Sequence, residues 1–113
     1  MQSVKELRVR YWIYLDGEKF FGLGRAQLLK HIQESGSISN AAKAMGMSYK
    51  KAWAMVDDMN VKAKEPYVIA KKGGKSGGGT ELTEAGRKML EAYNNLNSKL
   101  ASIAESEKEI LNL

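Results

Sequence analysis

A mainly α-helical fold with small β elements follows from three features of this 113-residue sequence. At residues 38–59 two helical segments cross where the chain has little bulk and are joined over a glycine. A strand, a loop rich in glycine and lysine, and a second strand follow at residues 67–82. From Thr83 a heptad of apolar residues runs almost to the end of the chain. Together these predict a winged helix-turn-helix with an N-terminal β-hairpin and a long C-terminal dimerisation helix. The expected divisions are residues 1–82 for the winged unit with its hairpin and 83–113 for the helix.

The hairpin is read from alternation. Leu7, Val9, Tyr11, Ile13 and Leu15 share one face of residues 7–15, and Arg8, Arg10, Trp12 and Tyr14 share the other. Asp16-Gly17 tolerates the positive φ of a tight turn, and Lys19-Phe20-Phe21 supplies the return strand. Trp12 and Tyr14 need a cover, for which a second subunit is the candidate.

Gly22-Leu23-Gly24 breaks the strand. From Arg25 to Glu34, Ala26, Leu28, Leu29 and Ile32 recur at helical spacing, and Ser35-Gly36 ends that helix. Ser37 or Ser39 can cap the next helix and Ser48 the one after, since a serine hydroxyl accepts from an early backbone amide. Ala42 leaves room where these two helices cross, and Gly46 supplies the positive φ of their turn. Ala41, Met45, Met47, Ala52 and Met55 fall at core-facing spacings. The helix opened by Ser48 is expected to run to about Met59, with Pro66 barring helix beyond it.

Tyr67-Val68-Ile69-Ala70 reads as a strand and Thr80-Glu81-Leu82 as its return. The loop between them, from Lys71 to Gly79, holds five glycines and three lysines. Its bare amides and charges suit contact with a phosphate backbone. Gly74-Lys75-Ser76 echoes the end of a nucleotide-binding P-loop, but Ile69 stands where that motif needs glycine and no helix starts at Lys75. In the last segment Met89, Tyr93, Leu96, Leu100, Ile103 and Ile110 follow steps of four and three, with Glu107 as the polar break. This is a heptad seam. Packing on its own domain accounts for the first two turns, and the later turns are expected to meet the same helix of a second subunit.

Charge adds direction. The net charge is +5. Residues 1–82 carry 14 Lys/Arg against 8 Asp/Glu, whereas residues 83–113 carry 4 against 5. Residues 43–75 alone hold 8 Lys and 3 acids, so the positive field is centred on the helix-turn-helix and the wing. A basic stripe on such a motif is the footprint of DNA binding. The sequence has no cysteine and one histidine, His31, in a helical stretch. Disulfides, thiolate metal sites and cysteine nucleophiles are excluded, and neither a metal, a cofactor nor an enzymatic acid–base cluster is expected. No apolar run approaches the roughly 20 residues of a membrane span, and no secretory segment is present, so a cytoplasmic protein without a membrane partner is expected.

In a helix-turn-helix the first residues of the second helix reach base edges. Here these are Ser48, Tyr49 and Lys50, followed on the same face by Ala54 and Asp57. Lys43, Lys51, Lys71, Lys72, Lys75 and Ser76 are the expected phosphate contacts, which position a protein without reading sequence. Trp53 reads as a core residue or a prop for the wing, and Arg25 as a partner either of a phosphate or of an acidic neighbour. Trp12, Tyr14, Tyr93, Leu96, Leu100, Ile103 and Ile110 are the expected dimer interface. The reading is a homodimeric, sequence-specific, double-stranded DNA-binding transcription regulator. The alternative is a winged-helix interaction module that dimerises and binds another regulator.

Leu28-Leu29-Lys30-His31-Ile32, Gly36-Ser37-Ile38-Ser39, Ser48-Tyr49-Lys50, Ala52-Trp53, Met59-Asn60, the Gly73–Gly79 stretch and Leu82-Thr83 resemble the DNA-binding domain of the ModE family. These are prokaryotic molybdate-responsive transcription regulators. Leu82-Thr83-Glu84-Ala85-Gly86 also resembles the related winged domain of LysR-type regulators. The resemblance implies a recognition helix opening at Ser48, a wing at residues 67–82, and dimerisation through the N-terminal region and the long C-terminal helix. Members that sense molybdate carry oxyanion-binding domains after that helix. This sequence ends at Leu113, so a stand-alone module is expected and no molybdate binding is carried over.

Overall fold

The computed structural model describes residues 3–71 and 79–112. Asp16 and Gly17 take positive φ, 51° and 82°, and close a hairpin between β1 (Ile13–Leu15) and β2 (Glu18–Phe21). The strand expected over residues 7–15 is therefore shorter. β2 ends at Phe21 because α1 (Leu23–Ser35) starts two residues later, so residues 7–11 have no backbone to pair with. They are held instead by Tyr11, which stacks on Tyr93 at 4.7 Å and donates its hydroxyl to the Tyr93 carbonyl at 2.8 Å.

Gly36 stops α1 in the left-handed conformation, φ 69°, where its N–H bonds to the Ile32 carbonyl. Ser37 caps α2 (Ile38–Ala44) by accepting from the Asn40 amide, and Ser48 caps α3 (Tyr49–Lys62) by accepting from that of Lys51. Between these helices Gly46 has φ 65°. Ala41, Ala42 and Ala52 are fully enclosed at the crossing, where a larger side chain would force the axes apart. Met45, Met47 and Met55 are half-buried and pack against the core edge.

The wing pairs β3 (Val68–Lys71) with β4 (Gly79–Leu82) in antiparallel register, Val68 opposite Leu82 and Lys71 opposite Gly79. Its root lies on the end of α1: the Thr80 amide donates to the Gly36 carbonyl at 2.9 Å. A Cβ at Gly79 would sit 2.3 Å from that same oxygen, so the approach requires glycine. Thr83 caps α4 (Glu84–Ser106) and donates its hydroxyl to the Pro66 carbonyl, closing the wing at its base.

The core joins α1, α2, α3, the wing strands and the start of α4. Phe21, Leu28, Leu29, Ile32, Val56 and Met59 are its largest fully enclosed members. Phe21 meets both Tyr67 and Tyr93 edge-on. Leu90 and Tyr93 are buried as well, so the first turns of α4 belong to this core. Tyr93, expected on the dimer seam, is thus consumed within the protomer. Beyond it the helix is mostly exposed, with Asn97, Leu100 and Ala104 half-buried.

The final helix also ends earlier than its heptad. α4 stops at Ser106 and a 3-10 turn spans Lys108–Asn112, so Ile110 is not on the helical seam. Ser106 donates its hydroxyl back to the Ile103 carbonyl. Glu105, Glu107 and Glu109 put negative charge at the negative end of the helix dipole, and no basic residue occupies its last turn. Lys108 pairs with Glu105 at 2.8 Å just beyond this end.

Candidate nucleic-acid interface

α3 buries one side and offers the other. Ala52, Val56 and Met59 face the core, while Tyr49, Lys50, Trp53, Ala54 and Asp57 line a shallow surface depression of about 470 Å³. The base-reading set expected from the sequence is therefore brought together on one solvent-facing surface, with Ser48 at its N-terminal edge. Ser48 spends its hydroxyl on the helix cap, which fixes where the helix begins.

Trp53 departs from expectation. It is not a core residue: 45% of its surface is exposed, and the wing loop that it was alternatively expected to prop, residues 72–78, lies outside the described residues. Helical geometry explains the exposure, because the core-facing row runs through Ala52, Val56 and Met59 and position 53 lies a third of a turn away from it.

The lysines divide by partner. Lys62 sits 3.0 Å from Asp58 and 3.6 Å from Glu18, and Arg25 sits 2.7 Å from Asp58. Arg25 also donates to the Phe20 carbonyl at 2.7 Å, so its partner is the acidic neighbour and not a phosphate. Hydrogen bonds from Lys62 and Arg25 hold the Asp58 carboxyl below the usual aspartate range. This cluster ties α3 to α1 and to the hairpin. By contrast Lys43, Lys50, Lys51 and Lys71 are exposed and form no ion pair among the described residues. Lys71 and Tyr49 border a second groove, between the start of α2 and the wing strands. Lys72, Lys75 and Ser76 lie outside the described residues.

Asn60, which sequence reasoning assigned no role, fixes the wing relative to α3. Its amide donates to the Val68 carbonyl and its oxygen accepts from the Tyr67 and Val68 amides. An asparagine one turn from the end of a helix and just before a strand was the available signal.

On the hairpin, Trp12 is 43% exposed, with the Lys19 ammonium 4.4 Å from its ring centroid, and Tyr14 is 58% exposed. Leu96 and Ile103 on α4, and Ile110 beyond it, are exposed, whereas Leu100 is half-buried. Among the described residues no cluster of three or more His, Cys, Asp or Glu could hold a metal ion, and no helix is long and apolar enough to cross a membrane.

No family model matches the sequence. Among curated proteins it is similar to the molybdenum transport protein ModE of Azotobacter vinelandii, 43% identical over 88 residues, covering 78% of this chain and 33% of that protein. The DNA-binding transcriptional dual regulator ModE of Escherichia coli K12 is 41% identical over 87 residues, covering 77% and 32%. Molybdenum-pterin-binding protein MopB of Rhodobacter capsulatus is 45% identical over 92 residues, covering 81% and 34%. Over that shared stretch the chain belongs to the ModE family. It spans about a third of the length of these ModE-type relatives. The ModE-like fold also matches the CbnR DNA-binding domain solved in complex with DNA. The TM-score is 0.57 at 18% identity, covering 80% of this chain and 97% of that one. That likeness is one of fold, a winged helix-turn-helix.

Proposed function

We propose that this ModE-like chain binds double-stranded DNA sequence-specifically as a homodimer and regulates transcription. The observation that carries the reading is the outward face of α3. A helix capped at Ser48 presents Tyr49, Lys50, Ala54 and Asp57 to solvent. A helix in this position enters the major groove and reads bases with its N-terminal residues. Lys50 donates to guanine O6/N7 and Asp57 accepts from cytosine N4. Lys43, Lys51 and Lys71 neutralise phosphates around it, joined by Lys72, Lys75 and Ser76 of the wing loop. The ModE and CbnR likenesses support the same reading.

The homodimer rests on apolar exposure. Leu96 and Ile103 lie seven residues apart on α4 and stay exposed, with the half-buried Leu100 between them, while Leu7 and Val9 of the N-terminal segment line a groove with Asn97, Ala101 and Ala104 on the same helix. Ile110, Trp12 and Tyr14 extend the proposed interface. A C2 dimer places two recognition helices about one DNA turn apart, which suits a palindromic site.

Light scattering coupled to size exclusion, with and without a duplex from the gene's upstream region, tests both parts. The expected result is a dimer mass that shifts when duplex is added. A monomer mass contradicts the dimer. A dimer whose peak never shifts, at low salt as well, contradicts DNA binding and favours the protein-interaction module.

A further inference from the structure

Trp53 and Tyr49 stand apart from the other large aromatics near the core. Tyr11, Phe20, Phe21, Tyr67 and Tyr93 pack on one another, whereas Tyr49 and Trp53 make no ring contact among the described residues. They are 52% and 45% exposed, one turn apart on the solvent face of α3, with the Ala54 methyl beside them in the same depression. Water is a poor environment for so much apolar surface. It is also set among unpaired lysines, Lys50 and Lys51 on the same helix, which is unfavourable for an apolar partner and favourable for a polyanion.

The apolar feature that duplex DNA exposes in the major groove is the C5 methyl of thymine. We infer that Tyr49, Trp53 and Ala54 read thymine methyl groups, with Trp53 the main specificity-determining residue. The inference rests on the proposed DNA-binding reading and deepens it. Lys50 and Asp57, which line the same depression, take the hydrogen-bonding edges, and its apolar side chains take the methyls. Trp53 carries the larger share because it is the largest side chain lining the depression and stands one turn from both Tyr49 and Asp57.

The experiment starts with a pool of randomised duplexes enriched on the wild-type protein. In the tightest duplex each thymine is exchanged singly for deoxyuridine, which removes the methyl and preserves base pairing. At one or two positions per half-site, affinity should fall about fourfold, the worth of one buried methyl. Trp53→Ala should lose most of the difference between thymine and uracil duplexes, while Trp53→Phe should keep more of it. Trp53 is exposed, so both variants should melt with the wild type. Uracil that is silent at every position overturns the inference on wild-type protein alone. So does a Trp53→Ala variant that keeps the full methyl dependence. A pool that never enriches is a different failure, since it removes the DNA-reading function itself.

Discussion

Asn60 grips Val68 on both sides of its backbone: Nδ2 donates to the Val68 carbonyl at 2.8 Å and Oδ1 accepts from the Val68 amide at 3.1 Å. A third bond runs from the Tyr67 amide to the same oxygen at 2.9 Å. One side chain on the last turn of α3 thereby stands in for a strand neighbour and makes helix and wing a single unit. The wing's other attachment is the Gly36–Thr80 contact at the end of α1.

Asn60→Ala strands those backbone groups and should cost about 1–3 kcal/mol, the range for partly buried polar groups left unpaired. Urea unfolding followed by circular dichroism measures it. An unchanged midpoint would mean that water replaces the amide without loss.

Lys50→Ala should reduce discrimination between the selected duplex and a shuffled one by about 1–3 kcal/mol, with the fold intact. Competitive anisotropy reads the difference. Equal losses on both duplexes would make Lys50 a phosphate contact and not a reader.

Lys43→Ala and Lys71→Ala should weaken all duplexes alike and lower the salt slope by about 0.9 per lost phosphate contact. The slope comes from titrations at several salt concentrations. Wild-type slopes in both variants would move these lysines out of the interface.

Asp58 predicts an acid-sensitive contribution. Its folded-state pKa lies below its unfolded one, because Lys62 and Arg25 favour the carboxylate. The stabilisation is therefore complete above the ordinary aspartate range, about pH 4, and is lost as pH falls through the lowered folded value. Thermal melts of wild type and Asp58→Asn should differ at neutral pH and converge below about pH 4. A gap that stays constant with pH would assign the effect to shape and not to charge.

Leu96→Glu with Ile103→Glu should convert the dimer to a monomer of unchanged helix content, because neither residue is in the protomer core. Sedimentation equilibrium distinguishes the two masses. A persistent dimer would place the interface on the hairpin, around Trp12 and Tyr14.

Much of this architecture is legible in the chain because local chemistry decides it. Asp16-Gly17, Gly36, Gly46, Ser37, Ser48 and Thr83 each mark a turn or a cap, and each occupies that place in the structure. That Lys50, Ala54 and Asp57 share one exposed face was legible for the same reason, since a capped start fixes their helical phase. Long-range competition was not. Nothing in the alternation of residues 7–15 says that β2 is too short to pair with all of them. Nor does the heptad show that Tyr93 is taken by Tyr11 and Phe21, or that α4 ends at Ser106, before Ile110. Trp53 was misread as core because large aromatics are usually buried, and one residue of helical phase outweighs that tendency. The pairing of Arg25 with Asp58 spans two helices and needed the fold to appear.

The central claim is that the exposed face of α3 reads DNA sequence. Fluorescence anisotropy, comparing the duplex selected by the protein with a shuffled duplex of the same composition near physiological salt, tests it most directly. The account predicts binding to the selected duplex tighter by about a thousandfold, and a clear narrowing of that ratio in Lys50→Ala. Equal affinity for both duplexes would contradict it.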